Sequence, residues 1–196
     1  FFEKAKEHLA YPYDLEFKQE GYLILATTPE ECEQFAKNVA LQNACGIPSR
    51  VVSKAEALAI VPHLNPDAFM NATFCATDGH LNPFKMNEAF MLAAKRLGVT
   101  FHYGETVVAM NSSATHVTQV VTTTTTYNVK QVVNAAGGYS REVGLLAGVD
   151  IPVYSKKHEI CVTQPTRKMQ GPMVMSFSKN IYCQQVPHGA FIMVRS

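Results

Sequence analysis

The order of apolar and polar positions predicts three helices in the first hundred residues. The first begins at residues 28–31, Thr-Pro-Glu-Glu, a capping box with proline at the first helical position, and it ends at Gly46. Its buried face is set by apolar residues spaced i, i+3, i+4 and i+7: Cys32, Phe35, Ala36 and Val39. Residues 53–56 repeat the box before a shorter helix. The third helix begins at Asn82-Pro83 and ends before Gly98.

Alternating patterns rich in β-branched residues predict strands in the rest of the chain. One strand, at 22–26, precedes the first helix, and after Gly98 the pattern becomes predominantly β. The strands expected there are 100–103, 106–110, 117–122, 127–129, 131–135, 151–163, 173–177, 181–186 and 190–194.

Residues 132–148, VVNAAGGYSREVGLLAG, carry the most information about function. An extended run stops at Gly137-Gly138, and a short helical segment then closes on Gly148. A strand that stops at glycines brings its backbone close to another group, because only glycine lets that group approach without a Cβ in the way. The alternative is a buried strand followed by a tight turn. We expect Ser140 to be the N-cap of the short helix.

A second block upstream, residues 78–110, favours the first interpretation. It reads Asp-Gly-x-x-x-Pro, a helix, Gly-Val, and a strand with Val-x-x-hydrophobic. Together with Val-Val-Asn-Ala-Ala-Gly and an aromatic two residues on, it resembles the flavin-dependent amine oxidoreductases of the glycine oxidase, D-amino-acid oxidase and sarcosine oxidase family. The matching positions are Asp78, Gly79, Pro83, Gly98, Val107, Met110, 132–137 and Tyr139. The resemblance continues through HEICVTQP at 158–165, covers well over half of the chain, and is strongest to the sarcosine oxidase β-subunit type.

The resemblance implies a set of cofactor contacts. In this family the valine of the Val-x-x-hydrophobic strand contacts the adenine end of FAD, which suggests that role for Val107; the alternative is a core strand residue. Ala136 and Gly137 are expected against the ribose-pyrophosphate region, where a side chain would block the approach. Tyr139 stands where the family usually has tryptophan and is expected to contact the cofactor. FAD is expected to be non-covalent, because Asn82-Pro83 lacks the histidine to which some heterotetrameric sarcosine oxidases attach FMN.

The resemblance also implies one substrate-binding residue. Tyr182, in IYCQQVP, aligns with a family tyrosine that faces the substrate above the flavin, where a phenol can hydrogen-bond the substrate carboxylate. The alternative is a strand aromatic with its hydroxyl in solvent. His158 occupies a strand motif that often carries histidine and is expected to be structural. No complete catalytic set is expected in this chain, and the histidines show no metal-ligand spacing.

The implied fold is α+β, with two interleaved domains. Residues 1–78 and 149–196 would form a substrate-binding domain around a mixed, largely antiparallel sheet, and residues 79–148 would return to an α/β FAD domain. The family opens with a Gly-x-Gly-x-x-Gly turn that binds the FAD pyrophosphate. This chain contains no Gly-x-Gly and starts at Phe1 without a methionine, so we expect an internal fragment that is inactive alone. The threonine run 122–126 replaces a glycine-bearing hairpin and leaves that turn undefined.

The function implied is that of an FAD-dependent oxidoreductase that oxidises the C–N bond of a small amino acid or N-methyl amino acid, such as sarcosine, glycine or proline. The flavin accepts the hydride, and the protein binds and orients the substrate. One alternative is a non-catalytic substrate-recognition or subunit-interaction fragment, which the missing glycine motif favours. Another is a glycerol-3-phosphate dehydrogenase-like flavoprotein, which the wide scatter of the five arginines disfavours.

Composition excludes several other classes of protein. A net charge of +1 with 17% charged residues gives no electrostatic footprint for nucleic acid or a membrane surface. The apolar stretches fall short of the roughly 20 residues that a membrane span needs, and no signal peptide is found. Five cysteines without a C-x-x-C pair are typical of reduced thiols in a cytosolic protein. We therefore expect a cytoplasmic protein with a small amine or amino-acid substrate. Either a homo-oligomer or a hetero-oligomer is compatible with the sequence.

Overall fold

The computed structural model describes residues 1–195 and combines short helices with two β-sheets. The helices are α1 Ala5–His8, α2 Pro29–Ala44, α3 Lys54–Ile60, α4 Pro83–Arg96 and α5 Ser140–Leu145. The strands are β1 Tyr22–Ala26, β2 Arg50–Val52, β3 Asn71–Cys75, β4 Val107–Ser112, β5 Val117–Thr122, β6 Thr126–Asn128, β7 Glu159–Val162, β8 Met173–Ser176, β9 Ile181–Gln185 and β10 Phe191–Arg195. This content confirms the predicted α+β class.

The chain divides into two compact units. One contains Phe1–Leu97 and His158–Ser196, and the other contains Gly98–Lys157. The predicted boundaries at 78/79 and 148/149 separate substrate-binding segments from cofactor-binding segments. The division into compact units does not measure which ligand a segment binds, so these boundaries stay a prediction.

The first unit is built on a seven-stranded sheet in the order β2-β3-β1-β8-β9-β10-β7. β1 and β8 are parallel, and the other neighbours pair antiparallel. The junction of β1 with β8 joins strands that are far apart in sequence, so the N-terminal and C-terminal segments of the chain share one sheet. A mixed, largely antiparallel sheet is what the family resemblance implied.

The helices of the first unit form where their caps predict them. The Ser53 hydroxyl accepts the Glu56 N–H at 3.2 Å, and the Glu56 carboxylate accepts the Ser53 N–H at 2.8 Å, which completes the capping box of α3. At α2 the Glu31 carboxylate accepts the N–H of Thr27 at 2.7 Å, so that box closes one residue earlier than predicted. α3 and the sheet enclose the main core, formed by Leu23, Leu25, Val52, Ala57, Val61, Phe69, Ala72 and Val174.

The α4 helix packs on the N-terminal segment of the same unit. Its N-cap is Asn82, whose Oδ1 accepts the N–H groups of Phe84 at 3.1 Å and Lys85 at 3.3 Å. After the helix Gly98 has φ +88°, as the predicted helix end requires. The buried residues of this second core are Ala5, Tyr11, Leu15, Met86 and Ala89.

The second unit contains the three-stranded antiparallel sheet β4-β5-β6. Its threonine-rich turn works without glycine, because the Thr122 hydroxyl accepts the N–H groups of Thr124 at 3.3 Å and Thr125 at 3.0 Å. The Thr122 N–H also donates to the Thr125 carbonyl at 2.8 Å. A side-chain hydroxyl thus supplies the local hydrogen bonds of the turn.

Three of the predicted strands are wrong in whole or in part. Residues 100–103 and 131–135 carry no strand, and of the predicted 151–163 only Glu159–Val162 pairs. An alternating sequence favours an extended backbone, but a strand also needs a neighbour for its hydrogen bonds. Residues 131–136 keep the alternation, with exposed and half-buried positions taking turns, but among the described residues they have no ladder partner.

None of the described helices is both long and apolar enough to cross a membrane.

Candidate functional site

The turn that follows residues 131–136 is organised by Asn134. Its Oδ1 accepts the Ala136 N–H at 3.2 Å, and its Nδ2 donates to the Ser140 carbonyl at 2.8 Å. One side chain therefore bridges both sides of the Gly137-Gly138 turn. The sequence analysis did not assign this role, although an asparagine two residues before a turn is a recognised signal for such bonds.

The predicted N-cap at Ser140 is wrong. A 3₁₀ turn already begins at Gly137 and runs to Tyr139, and Ser140 is the first residue of α5 with Tyr139 as its N-cap. No side chain caps this helix. Because the chain turns at the glycines, the helical conformation starts earlier than the position of the serine suggested.

The glycines of this segment have different surroundings. Gly137 has φ +57°, and a Cβ added to it would meet no atom within 4 Å. At Gly138 a Cβ would lie 2.3 Å from Ser155 Oγ, and at Gly144 it would lie 2.7 Å from the Val149 carbonyl. Gly144 is thus required by packing against backbone, and a Cβ at Gly138 would displace the Ser155 hydroxyl, whereas the space beside Gly137 is open.

The four predicted cofactor residues all belong to this unit. Ala136 is half-buried, Gly137 is exposed, and Tyr139 is 74% exposed, so these three residues lie close together in sequence and are accessible. Val107 is the half-buried first residue of β4, next to a register shift between Val107 and Ala109. Their contacts with FAD stay a prediction.

An apolar groove of about 190 Å³ lies between the sheet and α5 of this unit. Its walls are Met110, Val117, Val132, Asn134, Val143, Gly144, Ala147, Val149 and Ile151. Val132 and Asn134, the half-buried positions of this segment, thus face a groove shared with α5 and not a neighbouring strand.

In the first unit, Tyr182 lies in the middle of the sheet's β8-β9-β10 part. Its Cα partners are Met175 in β8 and Val194 in β10, and two residues on Gln184 pairs with Ile192. Paired residues of neighbouring strands project to the same side of a sheet, and side chains alternate along each strand. Tyr182, Gln184, Ile192 and Val194 therefore share one face.

A pocket of about 450 Å³ opens on that face at Gln184 and Ile192. The sheet side is Gln184, Val186 and Ile192; the other walls are Glu16, His80, Leu81, Asn82, Pro83, Phe84, Pro187 and His188. Its volume falls in the range of small-molecule sites, roughly 300–1,000 Å³. Tyr182 does not line this pocket. It lines a second one of about 390 Å³, whose walls come mostly from the opposite face, including Glu159, Cys161, Cys183, Met193 and Arg195.

The carboxylate that lines the 450 Å³ pocket, Glu16, is paired with a lysine. Lys85 Nζ lies 2.6 Å from Glu16 Oε1, and Asn82 Nδ2 donates to Glu16 Oε2 at 3.0 Å. These bonds, first that from Lys85, lower the pKa of the Glu16 carboxyl, so it is ionised and paired. Burial lowers the pKa of His80 and favours its neutral imidazole.

The turn between β9 and β10, which closes one side of this pocket, is held by Gln185. This side chain is fully buried and uses both of its oxygen lone pairs and both of its N–H groups. Oε1 accepts from Met169 N at 2.7 Å and Gln170 N at 3.0 Å. Nε2 donates to the carbonyls of Arg167 at 2.8 Å and Gly189 at 3.0 Å. The sequence analysis missed both Gln184 and Gln185, since polar residues in a strand are ordinarily read as solvent-facing.

Residues 2–195 match the family described as DAO, FAD dependent oxidoreductase. The mitochondrial dimethylglycine dehydrogenase of Rattus norvegicus is 26% identical over 178 residues, which cover 88% of this chain and 21% of that protein. Glycine oxidase of Geobacillus kaustophilus (strain HTA426) is 29% identical over 176 residues, or 89% of this chain and 45% of that protein. The crystal structure of L-proline dehydrogenase from P. horikoshii has a TM-score of 0.89 and 31% identity, covering 98% of this chain and 51% of that chain.

The chain spans from about a fifth to about half of the length of these relatives. The match extends over nearly every residue, including both blocks on which the resemblance was based. It confirms the predicted family and, with it, FAD as the cofactor on which the family depends. This chain belongs to the DAO family of FAD dependent oxidoreductases.

Proposed function

We propose that this chain is part of a flavoenzyme that oxidises the C–N bond of a small amino acid or N-methyl amino acid by hydride transfer to FAD. The observation that supports the proposal most is the family match over residues 2–195. The names of the three relatives above point the same way, because dimethylglycine, glycine and L-proline are all small amino acids.

The turn in the second unit fits a cofactor that approaches the backbone. Gly137 combines a positive φ with open space where a Cβ would be, while its neighbours are held by Asn134 and by packing against Ser155. We assign Ala136 and Gly137 to the ribose-pyrophosphate region, Val107 to the adenine end and Tyr139 to an accessory contact. When bound, FAD supplies the hydride acceptor.

The sheet of the first unit supplies the substrate side. We assign Tyr182 as a hydrogen-bond donor to the substrate carboxylate. The 450 Å³ pocket on the same face of the sheet favours a small zwitterion, because its carboxylate Glu16 is already paired with Lys85 and burial lowers the pKa of its His80. Residues of this chain thus bind and orient the substrate and do not themselves accept the hydride.

The remaining expectations concern the setting of the enzyme. The partner is a small-molecule amine or amino acid, and a homo- or hetero-oligomer is compatible with the exposed edge strand β7. A cytoplasmic location remains part of the proposal, although one relative is named as mitochondrial.

The test uses the full-length protein that carries this chain. It should purify with non-covalent FAD, and anaerobic addition of glycine, sarcosine, dimethylglycine or L-proline should bleach the flavin absorption with at least one of them. If glycerol 3-phosphate alone bleached the flavin, the protein would instead be the glycerol-3-phosphate dehydrogenase-like flavoprotein of the alternative. Protein without flavin would favour the non-catalytic alternative.

The variant Tyr182→Phe tests the substrate side of the proposal. Losing one hydrogen bond to a charged group costs about 1.5–3 kcal/mol, or roughly ten- to a hundredfold in kcat/KM, with the flavin retained. An unchanged kcat/KM in stopped-flow flavin reduction would make Tyr182 an ordinary strand aromatic.

A further inference from the structure

Gln184 is a buried amide whose hydrogen-bonding groups are unused. The residue is 9% exposed, and its strand position directs its side chain to the face that lines the 450 Å³ pocket. Among the described residues the carboxamide has no protein hydrogen-bond partner, whereas the adjacent Gln185 uses all four of its own. The two neighbouring glutamines on opposite faces are therefore in contrasting states.

The carboxamide of Gln184 is open to the pocket. Asn71 Oδ1 is the only fully enclosed side-chain oxygen or nitrogen without a partner in residues 1–195, so the Gln184 amide is not sealed inside the protein. A buried amide without a hydrogen bond costs free energy, and proteins keep few of them. A ligand that pairs with this amide in the pocket would recover that free energy.

The surroundings select the chemistry of such a ligand. Because Glu16 is already ion-paired with Lys85 and accepts from Asn82, it offers little to a ligand ammonium group. The carboxamide N–H groups of Gln184 can donate to a carboxylate. Tyr182, two residues earlier on the same face, has its Cα about 6.5–7 Å away, close enough for both side chains to reach one carboxylate.

We infer that Gln184 is a substrate-binding and specificity-determining residue, whose carboxamide N–H donates to the carboxylate of a small amino acid held in this pocket. The inference rests on the proposed function and deepens it. It assigns carboxylate recognition to two residues of β9 that lie on one face.

The experiment compares ligands with and without the carboxylate in the full-length protein. 2-Aminoisobutyrate lacks an α-hydrogen and so cannot lose a hydride from Cα, which allows its Kd to be measured by calorimetry without turnover. Isopropylamine is the same molecule with a hydrogen in place of the carboxylate; because that α-hydrogen could be transferred to oxidised flavin, both Kd values are measured anaerobically with the flavin already reduced. Gln184→Met should weaken 2-aminoisobutyrate roughly ten- to a hundredfold and leave isopropylamine unchanged.

Gln184→Glu adds a second test through charge. It should weaken 2-aminoisobutyrate further than Gln184→Met does, because the two carboxylates repel, and it should bind isopropylamine at least as tightly as the wild type. Ile192→Val, a matched change of an apolar pocket residue, should leave the ratio of the two Kd values unaltered. Thermal unfolding of each variant shows that it is folded, and if one glutamine variant fails to fold the other carries the test.

Each remaining outcome decides against a specific statement. Equal weakening of both ligands, or no change in either, would overturn the role of Gln184 and make it a packing residue. In that case the wild type would still bind 2-aminoisobutyrate and oxidise a small amino acid, so the proposed function would stand. A wild-type protein that does neither would overturn the proposed function and this inference together.

Discussion

Gly137→Ala, paired with Gly148→Ala, separates the effect of backbone conformation from that of cofactor contact. The two glycines have φ of +57° and +75°, and a Cβ built on either meets no atom within 4 Å. Within this chain both substitutions therefore carry the same penalty, that of a left-handed conformation for a residue with a Cβ. That penalty is about 1–2 kcal/mol.

The two variants should differ in flavin content. At Gly137 the new methyl group projects into the open space that we assign to the ribose-pyrophosphate of FAD, whereas Gly148 follows α5 and has no assigned ligand. Each additional 1.4 kcal/mol or so of unfavourable free energy in the complex weakens FAD binding tenfold. We expect Gly137→Ala to retain about a tenth of the wild-type FAD or less, and Gly137→Val to retain none.

The assay is the ratio of FAD to full-length protein after gel filtration, together with urea unfolding of the flavin-free forms. Gly148→Ala should keep the wild-type ratio and lose the same unfolding free energy as Gly137→Ala. Gly137→Asn, which tolerates positive φ better than alanine, should recover stability without recovering flavin. Equal flavin retention in the Gly137 and Gly148 variants would refute the close-approach reasoning, and equal loss in both would show that folding of the unit controls flavin content.

Two further predictions concern the first unit and need no cofactor. Gln185→Met should lower the unfolding free energy by roughly 2–6 kcal/mol, since at least two buried backbone groups lose their hydrogen-bond partners at about 1–3 kcal/mol each. Urea unfolding measures this change. A loss of less than about 0.5 kcal/mol would show that water replaces the hydrogen bonds of the side chain. Tyr11 donates to the Glu88 carboxylate, which raises the pKa of this phenol to about 12, so the Tyr11 phenol should remain mostly protonated in the native protein at pH 11. Because the pKa of Tyr11 is higher in the folded state, the stabilisation of the fold by Tyr11 is complete below pH 10 and is lost as pH rises toward 12. The check is to titrate phenolate absorbance in the wild type and in Tyr11→Phe. Identical titration curves above pH 10 would contradict the prediction.

The elements that could be predicted from sequence are those whose causes are local. The capping box of Ser53 with Glu56 is formed by side chains three residues apart, and both of its hydrogen bonds are present. Strand Tyr22–Ala26 was predicted at its observed bounds, since a short apolar run between turn signals specifies a buried strand. Neither element depends on a distant partner for its identity.

The elements that failed depend on neighbours that periodicity does not encode. Residues 131–135 alternate as a strand should, but in residues 1–195 they have no strand partner, and Val132 and Asn134 instead line a groove shared with α5. Phe101 and Tyr103 likewise suggested a strand, and their rings instead stack with centroids 6.1 Å apart. The pairing β1-β8, which unites the first unit, joins residues that no local pattern relates.

The candidate site shows the same division. The glycine turn was found from its motif, whereas Gln184 was missed because a lone glutamine in a strand gives no sequence signal until its neighbours are known. Burial and an unused carboxamide, both properties of the folded chain, are what distinguish Gln184 from the fully bonded Gln185 next to it.

The four glycines of residues 132–148 now have separate explanations, and only one of them points to a ligand. Gly144 is fixed by the Val149 carbonyl and by Ile151, and a Cβ at Gly138 would displace the Ser155 hydroxyl that donates to the Gly138 carbonyl at 3.1 Å, so contacts inside the unit account for both. Gly148 has a positive φ just after α5, which helix termination explains. Gly137 has a positive φ as well, but it stands before a helix, in a turn already held by Asn134, with open space beside it. The cofactor interpretation of VVNAAGG therefore depends on this single residue, which is why the comparison of Gly137 with Gly148 is the most direct test of it.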